Sequence, residues 1–363
     1  MEGVTMHPRE PSPLILHVFP SFTTGGSQTR FAAIANHFGP QFRHAIIAMD
    51  GDTGCRTRLD PSLQATFHAV PVRHGRTLGN IRPFRAMLRQ LAPNALFTYN
   101  WGTIDWTLAN LGGLVRQVHV EDGFGPEERT RQLQRRVWMR RLFLRRRTVV
   151  LPSRTLVRLA TETWRLDPAW VRYVPNGIDL ARFAPMARVP GPVLVGTVAA
   201  LRPEKNLGRL IRAFAQRPPG PPARLMIIGD GPERPALAAL AQSLGVMAEF
   251  SGHVDQPAAL IRQFDIFALS SDTEQMPLSL LEGMAAGCAV VATDVGDVRQ
   301  MVAVPNQPFI TARDDAALAV ALGRLVADPA LMRTLGAANR ARAVAEYDQA
   351  AMFAAWGVLM RGP

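Results

Sequence analysis

Lysine is almost missing from this chain: of its 41 basic residues one is Lys205 and the other 40 are arginine. Cysteine is scarce too. Cys55 and Cys288 give neither a disulfide framework nor a metal-ligand spacing, which suits a reducing compartment. No stretch approaches the ~18 uninterrupted apolar residues of a membrane-crossing helix. The opening MEGVTMHPREPSPLILHVF has acid, proline and charge where a signal peptide carries an apolar run. These absences predict a cytoplasmic chain, soluble or lying on a membrane surface. Acidic residues are outnumbered 29 to 41, a net +12 that attracts polyanions without choosing among nucleic acid, anionic lipid and phosphorylated ligands. The 17 Phe, 3 Tyr and 6 Trp form no stacking motif and the arginines sit in no recognised reader fold, which disfavours nucleic acid.

What is present is enough apolar residue for real cores, 47% against 19% charged, in a length that suits two domains. PLILHVF, HAIIAM, TFHAVPV, ALFTYN, VRQVHVED, TVVLPS and VRYVPNGID read as strands, with GGSQTRFAAIANHF and IRPFRAMLRQLA as intervening helices. After the proline-rich ARFAPMARVPGP, which reads as a linker, VLVGTVA, RLMIIGDGP, AEFSGHV, IFALSS and AVVATDVG repeat the alternation with helices between them. Such alternation predicts two doubly wound α/β units with parallel sheets, and ligands beyond the carboxyl ends of their strands.

Four strand-ending loops carry unusual chemistry. TTGGS, with Gly25 and Gly26, either brings backbone amides to an anion or is a plain tight turn. It is not the dinucleotide fingerprint, which counts against a dehydrogenase. In ALRPEKN, Arg202 and the single lysine, Lys205, can converge on one point and suit a diphosphate leaving group in place of a metal ion. A compact ammonium reaches one phosphate oxygen without a planar fork. GDGPER, Gly229 to Arg234, is a flexible turn with no decided role. SSDTEQMPLSLLEGMAAG places Glu274 in a loop and Glu282 on an otherwise apolar helix, where burial of its carboxylate needs a hydrogen-bonding partner such as ribose. A helix dipole would favour Glu274 as an anion near a sugar, and Pro277 suits that helix's first turn.

GGSQTR, VPNGID, RPEKN, GDGPE, FSGHV and TEQMPLSLLEGMAAGCAVVATDVG, in that order, resemble the retaining GT-B glycosyltransferases of family four, a group with bacterial mannosyl- and glucosyltransferases. The motifs span nearly the whole chain. The resemblance implies two Rossmann-like domains facing across a cleft: residues 1–178 binding acceptor, residues 179–345 binding nucleotide-sugar, and a final helix, 346–363, crossing back to the first. By the same resemblance Arg202 and Lys205 hold the donor diphosphate and Glu282 the ribose, while Glu274 contacts donor-sugar hydroxyls. Gly252 and His253 lie against the base through their backbone, and the loop of Gly25 and Gly26 closes over phosphates or acceptor. A strand-end histidine faces the donor sugar, and His119 in HVEDGFG is the match; read alone, such a histidine is more often structural. Glu121 and Asp122 beside it have no second cluster to make a metal site. One departure stands out. The family's E-x-F-G reads Glu274-Gln275-Met276-Pro277 here, and proline cannot donate an amide, which leaves the amides of Met276 and Leu278.

The implied reaction moves a hexose from a nucleoside diphosphate to a hydroxyl of a glycan or lipid-linked acceptor, with retention and without metal or cofactor. Glu274, His119, Arg202 and Lys205 are its expected catalytic groups. A nucleotide-sugar epimerase, a sugar phosphorylase or an inactive binding module on the same fold are the rival readings; the four charged motif residues argue against the last. RTRQLQRRVWMRRLFLRRR, Arg129 to Arg147, carries nine arginines with Leu133, Val137 and Leu144 on one helical face. It reads as a helix lying on an anionic membrane, or as a solvated helix packed on the sheet.

Overall fold

The structure, a computed structural model, describes residues 12–72, 77–124, 126–128, 131–187 and 191–362. Contacts divide it into two units. One comprises the chain up to Leu151, Arg158–Arg172 and the residues from Phe353 onward; the other comprises Pro152–Val157 and Tyr173–Met352. The boundary therefore falls a few residues before the expected one after Ile178, and a six-residue piece of the expected first domain belongs with the second. Of the proline-rich stretch read as a linker, residues 188–190 lie outside the described residues.

In the first unit β1 (Leu14–Phe19), β2 (Arg43–Ala48), β3 (Ala65–Phe67), β4 (Ala95–Tyr99), β5 (Arg116–Val120), β6 (Thr148–Leu151) and β7 (Val171–Tyr173) form one sheet. Its order is β3-β2-β1-β4-β5-β6-β7. Residues 16 to 19 of β1 and all of β4 are buried, as expected for near-continuous apolar strands covered on both faces. TFHAVPV yields only the three residues of β3, whose pairing with β2 ends at Phe67. Stacked rings, Phe19 on Tyr99 and Phe84 on Trp106, mark two parts of its core. The helix Gln349–Arg361 supplies Trp356, stacked near Phe97, and carbonyls of Leu359 and Met360 that accept from Arg116.

The second unit contains β8 (Val193–Val198), β9 (Ala223–Ile228), β10 (Ala248–Gly252), β11 (Ile266–Leu269), β12 (Ala289–Thr293) and β13 (Ile310–Thr311). They run in the order β10-β9-β8-β11-β12-β13. Alternate residues of β11 feed separate cores: Phe267 and Leu269 one, Ile266 and Ala268 the other, as the two-residue strand period requires. The described strand pairings in both sheets are parallel. Each sheet reverses its winding once, between β1 and β4 and between β8 and β11. Those switch points are where doubly wound sheets open a crevice for ligands.

Candidate active site

The switch point of the second unit gathers most of the predicted residues. Beyond β8 the chain makes a single turn, Pro203–Lys205, and then Asn206 adopts the left-handed conformation at φ 42° and ψ 50°. Asparagine tolerates that backbone better than most residues, and its side-chain oxygen caps the helix Leu207–Gln216 by accepting from the Arg209 amide. Beyond β11, Ser270 to Pro277 form the neighbouring loop. The two loops are stitched together: Asp272 N donates to Glu204 O at 2.9 Å and Ser270 Oγ donates to Lys205 O at 3.1 Å.

On this frame Lys205 Nζ meets Glu274 Oε1 at 2.5 Å, and Ser271 Oγ donates to the same oxygen at 2.8 Å. Arg209, largely buried, donates to Ser270 O and to Asp272, each at 2.8 Å. Asn206 Nδ2 donates to both Asp272 oxygens at 3.2 Å. Asp315 extends the chain of charges to Arg212 at 2.5 Å. A network so connected fixes side chains against rotation, so Lys205 and Glu274 are presented as a rigid cation–anion pair. Arg202 is exposed at the start of the same turn, where its carbonyl accepts from the Lys205 amide at 3.0 Å.

Two glycine turns let this frame close up. Gly229, at φ 135°, lies where a Cβ would come within 1.9 Å of the Ala199 carbonyl, and its amide donates to Gly252 O at 2.8 Å. This assigns GDGPE to backing the Arg202–Lys205 loop. Gly296, at φ 53°, lies where a Cβ would come within 2.3 Å of the Glu274 carbonyl, which explains the glycine closing ATDVG. His253 is exposed and pairs with Asp255 at 3.1 Å.

Glu282 is half-buried in the helix Leu278–Ala285. Pro277 is its N-cap, one position earlier than the expected first turn; there its carbonyl still serves the helix and its lack of an N–H costs nothing. Met276 is buried, and its carbonyl accepts from Asn176 Nδ2 at 2.9 Å. Asn176 of VPNGID thus props the segment in which the sequence departs from E-x-F-G.

In the first unit, Gly25 is the extended N-cap of the helix Gly26–Phe38, with Gln28 reaching back to Ser21 O at 2.7 Å to close the turn. His119 corrects an expectation. It is fully buried on β5, with Nδ1 at 2.9 Å from Thr98 Oγ1 and Nε2 at 3.1 Å from Glu121 Oε2. With both ring nitrogens committed inside the unit, it presents nothing to a sugar. Burial alone would raise the Glu121 carboxyl, but Arg140 and His119 outweigh it and hold it below its ordinary range. Asp122, at the strand end where His119 was expected to act, is gripped by Arg30 through two contacts of 2.6 and 2.9 Å.

The arginine-rich stretch is corrected as well. Its helix is Gln134–Phe143, and Arg129 lies outside the described residues. Val137 and Leu144 are buried, but Leu133 is the exposed N-cap. Arg140 lies on the inner face and is wholly buried.

Ser271, Asp272 and Asn206 stand in the loops that the sequence singles out but carry no expected role there, and Arg209 and Asp315 lie outside those loops. Arg209 had a usable signal, standing one helical turn beyond Lys205. Asp315 had none, because its place comes from an element far along the chain. Among the described residues no group of three His, Cys, Asp or Glu side chains is placed to hold a metal ion.

Two adjoining family models match this chain: "Glycosyltransferase Family 4" over residues 24–182 and "Glycosyl transferases group 1" over residues 183–342. With its two doubly wound units, the chain belongs to the family-four GT-B glycosyltransferases. It is similar to D-inositol 3-phosphate glycosyltransferase of Rhodococcus erythropolis, 31% identical over 57% of this chain and 50% of the relative. The chain spans about half the length of the curated relatives it first matches. Among solved structures, Anabaena Alr3699/HepE in complex with UDP-glucose superposes with a TM-score of 0.80 at 19% identity, over 96% of this chain and 99% of that one. Sucrose-phosphate synthase from Thermosynechococcus elongatus gives a TM-score of 0.78 at 20% identity, over 96% and 98%. At these identities the likeness is one of fold.

Proposed function

We propose that this chain transfers a hexose from a nucleoside-diphosphate sugar to a hydroxyl acceptor, a glycan or lipid-linked sugar, with retention at the anomeric carbon. The observation that carries the proposal is the 2.5 Å contact of Lys205 with Glu274 at the β8/β11 switch point. A cation and a carboxylate side by side suit a ligand with phosphate and sugar hydroxyls on neighbouring atoms. Arg202 and Lys205 neutralise the departing diphosphate; Glu274 accepts from donor-sugar hydroxyls and Glu282 from ribose. Met276 and Leu278 lie beside the sugar, Gly252 and His253 beside the base, and the Gly25–Gly26 turn beside phosphates or acceptor.

The bond from the anomeric carbon to the phosphate oxygen breaks and the bond to the acceptor oxygen forms on the same face. The acceptor proton passes to the departing phosphate oxygen. A front-face route fits because Glu282 is committed to ribose, which leaves Glu274 without the second carboxylate that a double-displacement pair requires. No metal or cofactor is required by this route. Incubation with UDP-glucose and GDP-mannose and a panel of glycoside acceptors tests it: nucleotide release must depend on acceptor, and the product must keep the donor's anomeric configuration by NMR. Release without acceptor, or epimerised donor, would favour an epimerase or phosphorylase instead.

The protein is further proposed to work in the cytoplasm against an anionic membrane surface. Among the described residues no helix is long and apolar enough to cross a membrane. Trp138 is 64% and Leu142 67% exposed, and they share an open surface hollow with Arg135, Arg141 and Arg145. Apolar wedges among cations match the chemistry of an anionic interface. Flotation with phosphatidylglycerol vesicles at low salt should carry the protein up, and Trp138→Ala with Arg141→Glu should leave it at the bottom.

A further inference from the structure

Residues 152–157 follow β6 of the first unit but belong to the second, and one distant side chain accounts for it. Ser153 precedes the short helix Arg154–Arg158, its Oγ accepting from Leu156 N at 3.1 Å. The helix itself offers no partner to its first amides, those of Arg154 and Thr155. Asp297 supplies both: Oδ2 accepts from Arg154 N at 2.5 Å and Oδ1 from Thr155 N at 3.0 Å. Asp297 stands at the N-cap of Val298–Met301, where an aspartate ordinarily bonds to its own helix, yet its side chain does not cap that helix. With 3% exposure, its carboxylate is given instead to a segment 143 positions earlier in the chain.

The backbone of Asp297 reaches the Glu274 loop. Its amide donates to Gln275 O at 2.9 Å, and the side-chain oxygen of Gln275 accepts from Ser153 Oγ at 3.3 Å. The neighbouring Gly296 carbonyl accepts from Thr155 Oγ1 at 3.4 Å, and a Cβ on Gly296 would come within 2.7 Å of Gln275 O. Residues 153–155 and 296–297 thus make one frame, and both oxygens of Gln275 are fastened to it. Glu274 is the preceding residue. Its carboxylate meets Lys205 and Ser271, but the direction in which its side chain leaves the backbone is set by the segment that this frame holds.

We propose that Asp297 is a positioning residue for the transfer reaction, touching no substrate and acting through Gln275 on where Glu274 presents its carboxylate. The role rests on the transferase reading of the same site. A reacting group displaced by about 1 Å can cost about 100-fold in rate, so the effect of the frame belongs to the chemical step. Nucleotide binding should be spared, because Arg202, Lys205 and Glu282 stand outside the frame.

A double-mutant cycle tests it, with the donor and acceptor that support wild-type transfer, followed over a single turnover with enzyme in excess and saturating. Asp297→Asn leaves one acceptor oxygen for two amides and turns an NH2 group toward one of them. It should slow transfer about 10- to 100-fold, while UDP and GDP affinities stay within about two-fold. In Glu274→Gln, which already lacks the positioned group, adding Asp297→Asn should change the remaining rate by less than about two-fold. Equal factors in the two backgrounds would show support of the fold alone and overturn the role, as would an undiminished rate in Asp297→Asn. Asp297→Ser, which keeps one acceptor without the opposed NH2, serves in the same cycle should the asparagine variant not fold. A wild type that transfers sugar to no acceptor would sink the transferase reading and this role with it, whereas equal factors leave that reading standing.

Discussion

Lys205 and Glu274 stand 69 positions apart in the chain and meet at 2.5 Å, because β8 and β11 are neighbours in the sheet and each residue follows one of them. The sole lysine of the protein is thus held at the crevice by a carboxylate that Ser271 also orients. If the pair handles the donor, Lys205→Ala and Arg202→Ala should each lower kcat/KM for nucleotide-sugar by about 10²–10³, the range for loss of one group that stabilises a leaving anion. Lys205→Arg should also impair transfer, since a planar fork cannot occupy the place of a compact ammonium. Steady-state rates on variants with wild-type melting would check this; unchanged kcat/KM in both alanine variants would remove the assignment.

Gly296 couples the frame to the same carboxylate. Its φ of 53° and the 2.3 Å that would separate a Cβ from the Glu274 carbonyl mean that Gly296→Ala must push the Glu274 loop. The expected cost is about 2–4 kcal/mol from overpacking plus left-handed strain, with weaker donor binding. Gly51→Ala is the matched control, since Gly51 has φ 82° but nothing within 4 Å of the added atom. It should cost only about 1 kcal/mol. Urea denaturation of the two variants measures the difference, and equal losses would show that the close approach is unimportant.

These two sites show how far the sequence could be read. The α/β alternation, the switch-point loops and the charged residues in them are local signals, visible as apolar runs ended by glycine, serine and charge. Which side chains face inward is a tertiary matter. His119 stands on a strand end like a catalytic histidine, yet the register of β5 points it at Thr98 and Glu121 inside the unit. The arginine-rich helix misled for the same reason. Periodicity sets many of the arginines on the face away from Leu133, Val137 and Leu144, and only rings and carboxylates of other elements reveal why Arg140 turns inward. Pro277 was displaced by a single position, the ordinary uncertainty of a helix end.

Acid sensitivity should arise in the first unit. His17 and His44 are buried with Nε2 and Nδ1 3.1 Å apart, and Tyr99 OH lies 3.1 Å from the other nitrogen of His17. Burial pushes His44 down to about 4, and burial together with His44 lowers His17 well below its ordinary value. The unfolded chain takes up protons near pH 6.5 while folded His44 resists until about pH 4. Stability is therefore full above pH 6.5 and falls as pH drops toward 4, by on the order of 3 kcal/mol for His44 alone. Chemical denaturation between pH 7 and 4 should show that slope, and His44→Gln should flatten it. Parallel curves for the two proteins would place the acid sensitivity elsewhere.

Arg140 and Arg141 are adjacent in sequence and should behave oppositely. Arg140 is fully buried, with its guanidinium 5.0 Å from the ring centres of Trp101 and Trp164 and 5.3 Å from that of Phe124. It donates to Glu128 at 3.0 and 3.1 Å and to Glu121 at 3.3 Å. Removing it empties a buried site among three rings and leaves buried Glu121 with only His119 and buried Glu128 with Arg136 and the Leu133 amide, so Arg140→Ala should cost about 3–5 kcal/mol. Lysine should not rescue it, because a single ammonium cannot serve both glutamates from among three rings. Arg141 is exposed, and Arg141→Ala should change stability by no more than about 0.5 kcal/mol. What Arg141→Ala should weaken is flotation with anionic vesicles, which Arg140→Lys at a temperature where it stays folded should leave intact. Equal losses of stability from the two alanine substitutions would mean that the inward and outward faces of this helix are not distinct.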